Sequence, residues 1–152
     1  MTLRHSLPCG LLLLSLLAWS NPAAASAKLD PRTLITPQEA ETLLGAPATL
    51  EVHDMQAVYP GSADFTYQTR NIHILSAAFY PTNGTEMFEN QRKNLSAAGK
   101  KLLPCAVADA CFLVGGQLNA RKGNVYFTME GAGRGDVPKI EILARKVVGR
   151  LP

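Results

Sequence analysis

Three features of this chain carry side chains able to do chemistry: two histidines set in β-rich runs, a pair of cysteines and a glycine-rich loop. His53 is followed by Asp54 and Met55, and His73 lies in a later run. If those runs pair as neighbouring strands, His53, Met55 and His73 form a candidate soft-metal site, because imidazole nitrogen and thioether sulfur together suit copper-like ions. No close ligand cluster at zinc-type spacing accompanies them, and two histidines decorating the surface of a sheet explain the same pattern. A small hydrolase or metal carrier using His53 and His73 is one alternative for the whole chain.

Cys105 and Cys111 enclose a short loop with no histidine beside it. Redox pairs usually sit as Cys-x-x-Cys at a helix start, and this spacing fits neither that arrangement nor a zinc knuckle. The pair reads as one structural disulfide, formed in an oxidising compartment. Closing so short a loop stabilises by about 2.4 kcal/mol in the chain-entropy account. The surface of the loop at Val107, Ala108, Asp109 and Ala110 is then a candidate binding loop.

Nucleophilic chemistry finds less support. There is no Gly-x-Ser-x-Gly elbow, and a Ser-His-acid set is not legible without geometry. The carboxylate pairs Glu39 with Glu41 and Glu86 with Glu89 fall at predicted helix starts, where they suit the helix dipole. The segment from Gly131 to Gly135 joins a strand to a helix, as phosphate loops do. It lacks the Gly-Lys-Ser/Thr ending, and Asp136 competes for the same amides, so a plain connection is the better account. Arg134-Gly135-Asp136 is too short to count as an adhesion motif. Asn83-Gly84-Thr85 and Asn94-Leu95-Ser96 match glycosylation acceptors, which matter only in a eukaryotic secretory pathway. No catalytic residue is assigned, no cofactor is expected, and the chain reads as a non-enzyme.

The elements that must position these residues follow from composition and pattern. With 152 residues, 47% apolar and 18% charged, the chain fits one globular domain. A net charge of +3 with mixed signs offers no basic stripe for nucleic acid. Residues 1–27 have the layout of a secretory leader: Arg4 and His5, an apolar run from Leu11 to Trp19, and Ala25-Ser26-Ala27 before the expected mature start at Lys28. The apolar run is about half the length of a bilayer span, and no lipid-attachment cysteine follows it, so no membrane anchor is expected after cleavage. Cleavage removes Cys9 and one of the 15 basic residues but none of the 12 acidic ones, so +3 becomes +2.

Residues 28–152 read as a single α+β domain. After a polar lead-in, Thr36, Pro37, Glu39 and Gly45 mark a capped N-terminal helix. Alternation from Thr49 to Tyr59, from Phe65 to Thr69 and from Ile72 to Tyr80 predicts strands joined by links too short for crossovers. Thr85 is the expected cap of a partly exposed middle helix that stops at Gly99. Cys111 to Leu118, with a bulge at Gly115-Gly116, and Val125 to Glu130 predict a hairpin turning at Arg121 to Asn124. Ile140, Leu143, Ala144, Val147, Val148 and Leu151 give an amphipathic C-terminal helix. The expectation is an antiparallel sheet of about five strands with three helices packed on it.

Four stretches resemble a group of small secreted bacterial proteins and lipoproteins of unknown function with a PsbP-like α/β sandwich fold. They are the helix from Leu34 to Gly45, the loop Val107 to Phe112, the segment Leu118 to Asn124 with Arg-Lys-Gly at its turn, and the closing helix from Leu143 to Leu151. The lipid-attachment cysteine frequent in that group is missing. The resemblance implies a sandwich fold and a cell-envelope address, with ligand or protein binding more usual than catalysis, and it supplies no catalytic residues.

The function expected from these observations is an exported, non-enzymatic binding domain, periplasmic or secreted, that contacts another protein or a small ligand through sheet or loop edges. Tyr59 and Tyr80, expected to be exposed beside turns, would contribute to such contacts. A sharper version is a periplasmic immunity or inhibitor protein against a secreted toxin or hydrolase. No pattern assigns an oligomeric state.

Overall fold

The computed structural model describes residues 28–131 and 134–152. The leader expected at residues 1–27 and two residues of the glycine loop, 132 and 133, lie outside the described residues.

The polar lead-in is partly helical and partly buried. Asp30 accepts a hydrogen bond from the Arg32 amide and caps a one-turn helix, α1 (Pro31–Leu34). Leu34 and Ile35 are buried, and the Tyr67 hydroxyl donates to the Ile35 carbonyl at 2.7 Å. The segment is too short to show a helical period. α2 (Pro37–Leu44) forms as its sequence dictates: Thr36 and Glu39 make a reciprocal capping box, Pro37 occupies the first turn, and Gly45 ends the helix in the left-handed region at φ 74°. Ala40, Leu43 and Leu44 form its buried side.

The sheet has seven strands, not five. They are β1 (Ala48–His53), β2 (Ala63–Thr69), β3 (Ile74–Tyr80), β4 (Leu103–Pro104), β5 (Ala110–Val114), β6 (Gln117–Lys122) and β7 (Val125–Gly131). Their spatial order is β1-β2-β3-β7-β6-β5-β4, with every pair antiparallel. The difference arises at two places. Gly115 and Gly116, at φ 61° and 103°, are not a bulge but the two-residue turn of a hairpin, which splits one expected strand into β5 and β6. Leu103–Pro104 adds a two-residue edge strand on β5.

Between β3 and β4 the chain forms α3 (Gly84–Ala97), and after a 3₁₀ turn at Arg134–Asp136 it forms α4 (Val137–Val148). α3 starts after Asn83, in the left-handed region at φ 56°, with no side-chain cap, rather than at Thr85. Asp136 occupies the N-cap position of α4 but makes no capping bond; its carboxylate lies 3.6 Å from Lys139 Nζ.

Alternation along the strands sorts residues onto two faces. Phe65, Tyr67, Leu75, Phe79, Leu118, Phe127 and Met129 face the main core, which α2 closes over β1 to β3 and α4 closes over β6 and β7. From α4 come Ile140, Leu143, Ala144 and Val147, and burial of its larger apolar side chains contributes ~1.5–3 kcal/mol each. The opposite face carries a smaller cluster, where Phe88 of α3 packs against Phe112 and Tyr126. α3 lies over β6 and β7, so the helices sandwich the sheet on that side. It is only partly buried, as its narrow apolar face implies: Gly84 and Phe88 are its buried residues.

The cysteines are bonded, with Cα atoms 5.5 Å apart, and both pack partly against the main core. Reduction under native conditions is expected to lower the unfolding free energy by about 2 kcal/mol. Equal urea midpoints for the oxidised and reduced protein would count against a structural role.

Candidate functional site

The histidines are set apart by the register of the sheet. His53 ends β1 opposite Asp64, near the start of β2, whereas His73 precedes β3, where its backbone pairs with Thr69 at the far end of β2. Five residues of extended strand between Asp64 and Thr69 span roughly 17 Å. His53, Met55 and His73 therefore do not converge. Met55 stays near His53, in the turn whose carbonyl accepts from the Val58 and Tyr59 amides. Among the described residues no group of three or more His, Cys, Asp or Glu is placed to hold a metal ion.

The cysteine loop also differs from its sequence-based description. Val107 is buried in the main core and Ala108 packs against it, so little of Val107 to Ala110 is available to a partner. Asp109 is exposed but already engaged: it accepts from the Gly123 amide at 2.8 Å and from Lys122 Nζ at 3.4 Å. The Gly123 amide, with help from Lys122, holds the Asp109 carboxyl below its ordinary range. The loop braces the β6–β7 turn. Local sequence could not show this, because the partners of Asp109 come from another hairpin.

What the register does assemble is a polar row on the α3-bearing face of the sheet, in the part that α3 leaves uncovered. His53, Asp64, Ala78, Thr128 and Asn119 lie opposite one another across β1, β2, β3, β7 and β6. A parallel row contains Glu51, Thr66, Ser76 and Glu130. Small side chains form the middle of both rows, and the Thr66 and Ser76 hydroxyls are 3.4 Å apart. A run of rings borders them: Tyr59 packs edge-on against Tyr80 at 5.0 Å, and Tyr80 stacks on Tyr126 at 5.7 Å. Tyr80 is thus half-buried rather than exposed, and its burial, with the Asp64 carboxylate adding to it, raises the pKa of its phenol. Tyr126 closes the row by donating to Asn119 Oδ1 at 2.8 Å, which satisfies a fully buried amide.

At the β1–β2 end of these rows the chain encloses a hollow of about 250 Å³. Its lining comes from four short segments: Lys28, Leu29 and Pro31; Val52, His53 and Asp54; Gln56; and Ser62, Ala63 and Asp64. His53 Nδ1 is 3.2 Å from Asp64 Oδ1, and its Nε2 is 4.0 Å from Glu51 Oε1. Gln56 secures the loop behind it, accepting from the Gly61 amide at 2.8 Å and donating to the Ser62 carbonyl at 2.6 Å. Ser62 is buried, and its hydroxyl has no hydrogen-bond partner among the described residues.

An imidazole beside a carboxylate is a candidate base. The Ser62 hydroxyl, however, is not hydrogen-bonded to it, so the contact that activates a serine nucleophile is missing. The arrangement offers a ligand an imidazole, two carboxylates and an ammonium group against apolar walls, with the Ser62 hydroxyl sealed behind them. Sequence reasoning found His53 but missed Asp64, Gln56 and Ser62. The one available signal was the polar phase of β2, Asp64, Thr66 and Gln68, which marks a sheet face without naming its neighbours.

Among the described residues no helix is long and apolar enough to cross a membrane. Set against protein-family models, curated proteins and solved structures, the chain matches none of them.

Proposed function

We propose that this chain is an exported, non-enzymatic binding domain of the bacterial cell envelope that takes a small polar ligand in the hollow beside His53, Asp64 and Ser62. The observation that carries this reading is the buried Ser62 hydroxyl, without a hydrogen-bond partner among the described residues, at a hollow also lined by a neighbouring imidazole and carboxylate. A buried polar group without a partner opposes folding, so its retention is explained if a ligand completes it. Export is supported by the leader pattern of residues 1–27 and by the Cys105–Cys111 bridge. The PsbP-like sandwich type is supported by helices on both faces of an antiparallel sheet.

Amide correlation NMR spectra of the purified protein, titrated with a panel of amino acids, sugars, polyols and polyamines, test this. Shifts should concentrate at residues 28–31, 52–56 and 62–64. Ser62→Ala and Asp64→Asn should each weaken the hit about tenfold, equivalent to ~1.4 kcal/mol. Ser62→Ala should leave stability unchanged or raise it by up to about 1 kcal/mol, because it removes an unsatisfied group. Shifts scattered over the surface, or none at millimolar concentrations, would sink the proposal.

A further inference from the structure

The two edges of the sheet are unlike. β4 is blunted in the usual way, being two residues long and containing Pro104. β1 is six residues long and has no proline, lysine or bulge, and Val52 is 51% exposed on it. Its outward hydrogen-bonding groups can be identified. The Thr69 amide donates to the His73 carbonyl, so Thr69 points its backbone toward β3 and away from its β1 partner, Ala48. By alternation, Thr49, Glu51 and His53 bond to β2, while Ala48, Leu50 and Val52 direct their N–H and C=O groups outward. The Ala48 amide accordingly donates to Glu41 Oε1 at 3.4 Å, off the sheet. Among the described residues, nothing bonds the outward groups of Leu50 and Val52.

We propose that β1 pairs antiparallel with β1 of a second copy of this chain about a two-fold axis through Val52, making one continuous sheet. Symmetric registers centred on a residue keep both core faces on one side, and those centred on Leu50, Glu51 and Val52 pair the middle of the strand. Pairing centred on Glu51 sets two carboxylates opposite each other, which is unfavourable. Pairing centred on Leu50 needs the Ala48 amide, which Glu41 occupies. Pairing centred on Val52 uses its free N–H and C=O reciprocally, stacks the exposed Val52 side chains, and sets Glu51 opposite His53 of the other copy, twice. Those two positions form the closer, non-hydrogen-bonded pairs of the new ladder. With Nδ1 facing Asp64, Nε2 of His53 faces the opposing carboxylate and bonds it as imidazolium, the form in which both ring nitrogens donate. The surface is self-complementary in backbone and apolar side chain, and in charge when His53 is protonated, as an isologous interface requires.

The pairing rests on other observations than the ligand proposed above, although both use Val52 and His53. A ladder this short is a small interface, so dimerisation with Kd in the range of about 10–100 μM is expected. Sedimentation velocity of the purified protein from roughly 5 to 500 μM tests it. The wild type should shift from monomer to dimer across that range. Val52→Pro, which removes the central donor, should stay monomeric. Glu51→Lys, at a side chain that is 72% exposed, should weaken association at least tenfold with unchanged thermal stability, and adding His53→Glu should restore it. A wild type monomeric at the highest concentration, a dimer that survives Val52→Pro, or a charge swap that fails to rescue Glu51→Lys each overturns the proposal.

Discussion

Gly84→Ala is expected to lower the unfolding free energy by about 3 kcal/mol, a large effect for the addition of one methyl group. Gly84 opens α3 and rests on the β6–β7 turn, where its amide donates to the Asn124 carbonyl at 3.0 Å. A Cβ there would overlap the Asn124 carbonyl oxygen and come within 2.6 Å of the Asn124 carbonyl carbon and 2.5 Å of the Tyr126 amide nitrogen. All three are backbone atoms, so relief requires moving the helix or the hairpin rather than one rotamer. Displacing α3 would also loosen Phe88 from Phe112 and Tyr126, the centre of the smaller core. Gly135→Ala, whose added Cβ meets open space, should change stability by less than about 0.5 kcal/mol. Urea denaturation of both variants decides the matter, and equal small losses would show that the close approach at Gly84 is unimportant.

The second large effect is expected at Glu39. Sequence assigns it to the capping box, and it does accept from the Thr36 amide at 3.1 Å. The fold adds a bidentate bond from Arg150, with both contacts at 2.7 Å, while the same guanidinium donates to the Leu34 carbonyl at 2.8 Å. One side chain near the end of the chain thus ties together α1, α2 and the terminus of α4. Chiefly because of the Arg150 bond, and despite partial burial, the Glu39 carboxyl is held at about 2, below its ordinary 4.5.

A carboxyl depressed in the folded state contributes its stability above the unfolded value and loses it as pH falls through the folded one. The Glu39 contribution should therefore be complete above about pH 5 and vanish between roughly pH 4.5 and 2. Its size is about 2 kcal/mol once solvent screening at the one-third-exposed Arg150 is allowed for. Glu39→Gln should lose that amount at pH 7 and converge with the wild type near pH 2. Arg150→Ala should lose a similar amount at pH 7, and the double variant should lose less than the sum, since both act through one contact. Parallel stability–pH curves for Glu39→Gln and wild type would refute this account.

Local chemistry made much of the fold legible. The capping box at Thr36, the stops at Gly45 and Gly99, the apolar stripe of α4 and the cysteine pair each depend on residues a few positions apart. The strand count was less legible, because paired glycines within an apolar run fit a bulge or a hairpin turn equally well. Only the pairing of Val114 with Gln117 distinguishes the two. Arg150 shows the same limit. On a helical wheel it belongs to the solvent side, and no local pattern reveals a carboxylate 111 residues away.

The candidate site was legible only in its histidine. His53 was visible as a residue type, but its neighbours are set by how strands pair, and pairing is fixed by burial of the apolar face rather than by the polar residues themselves. That register brought Asp64 to His53, carried His73 to the other end of β2 and left the Ser62 hydroxyl beside a hollow without a partner among the described residues. By itself, then, the sequence determined the class of fold, the helices, the cysteine pair and the two polar and apolar phases of each strand, since these follow from short-range periodicity. The tertiary structure alone decided which polar residues meet, because contacts between strands depend on register and topology, and neither is written in the spacing of residues along one strand.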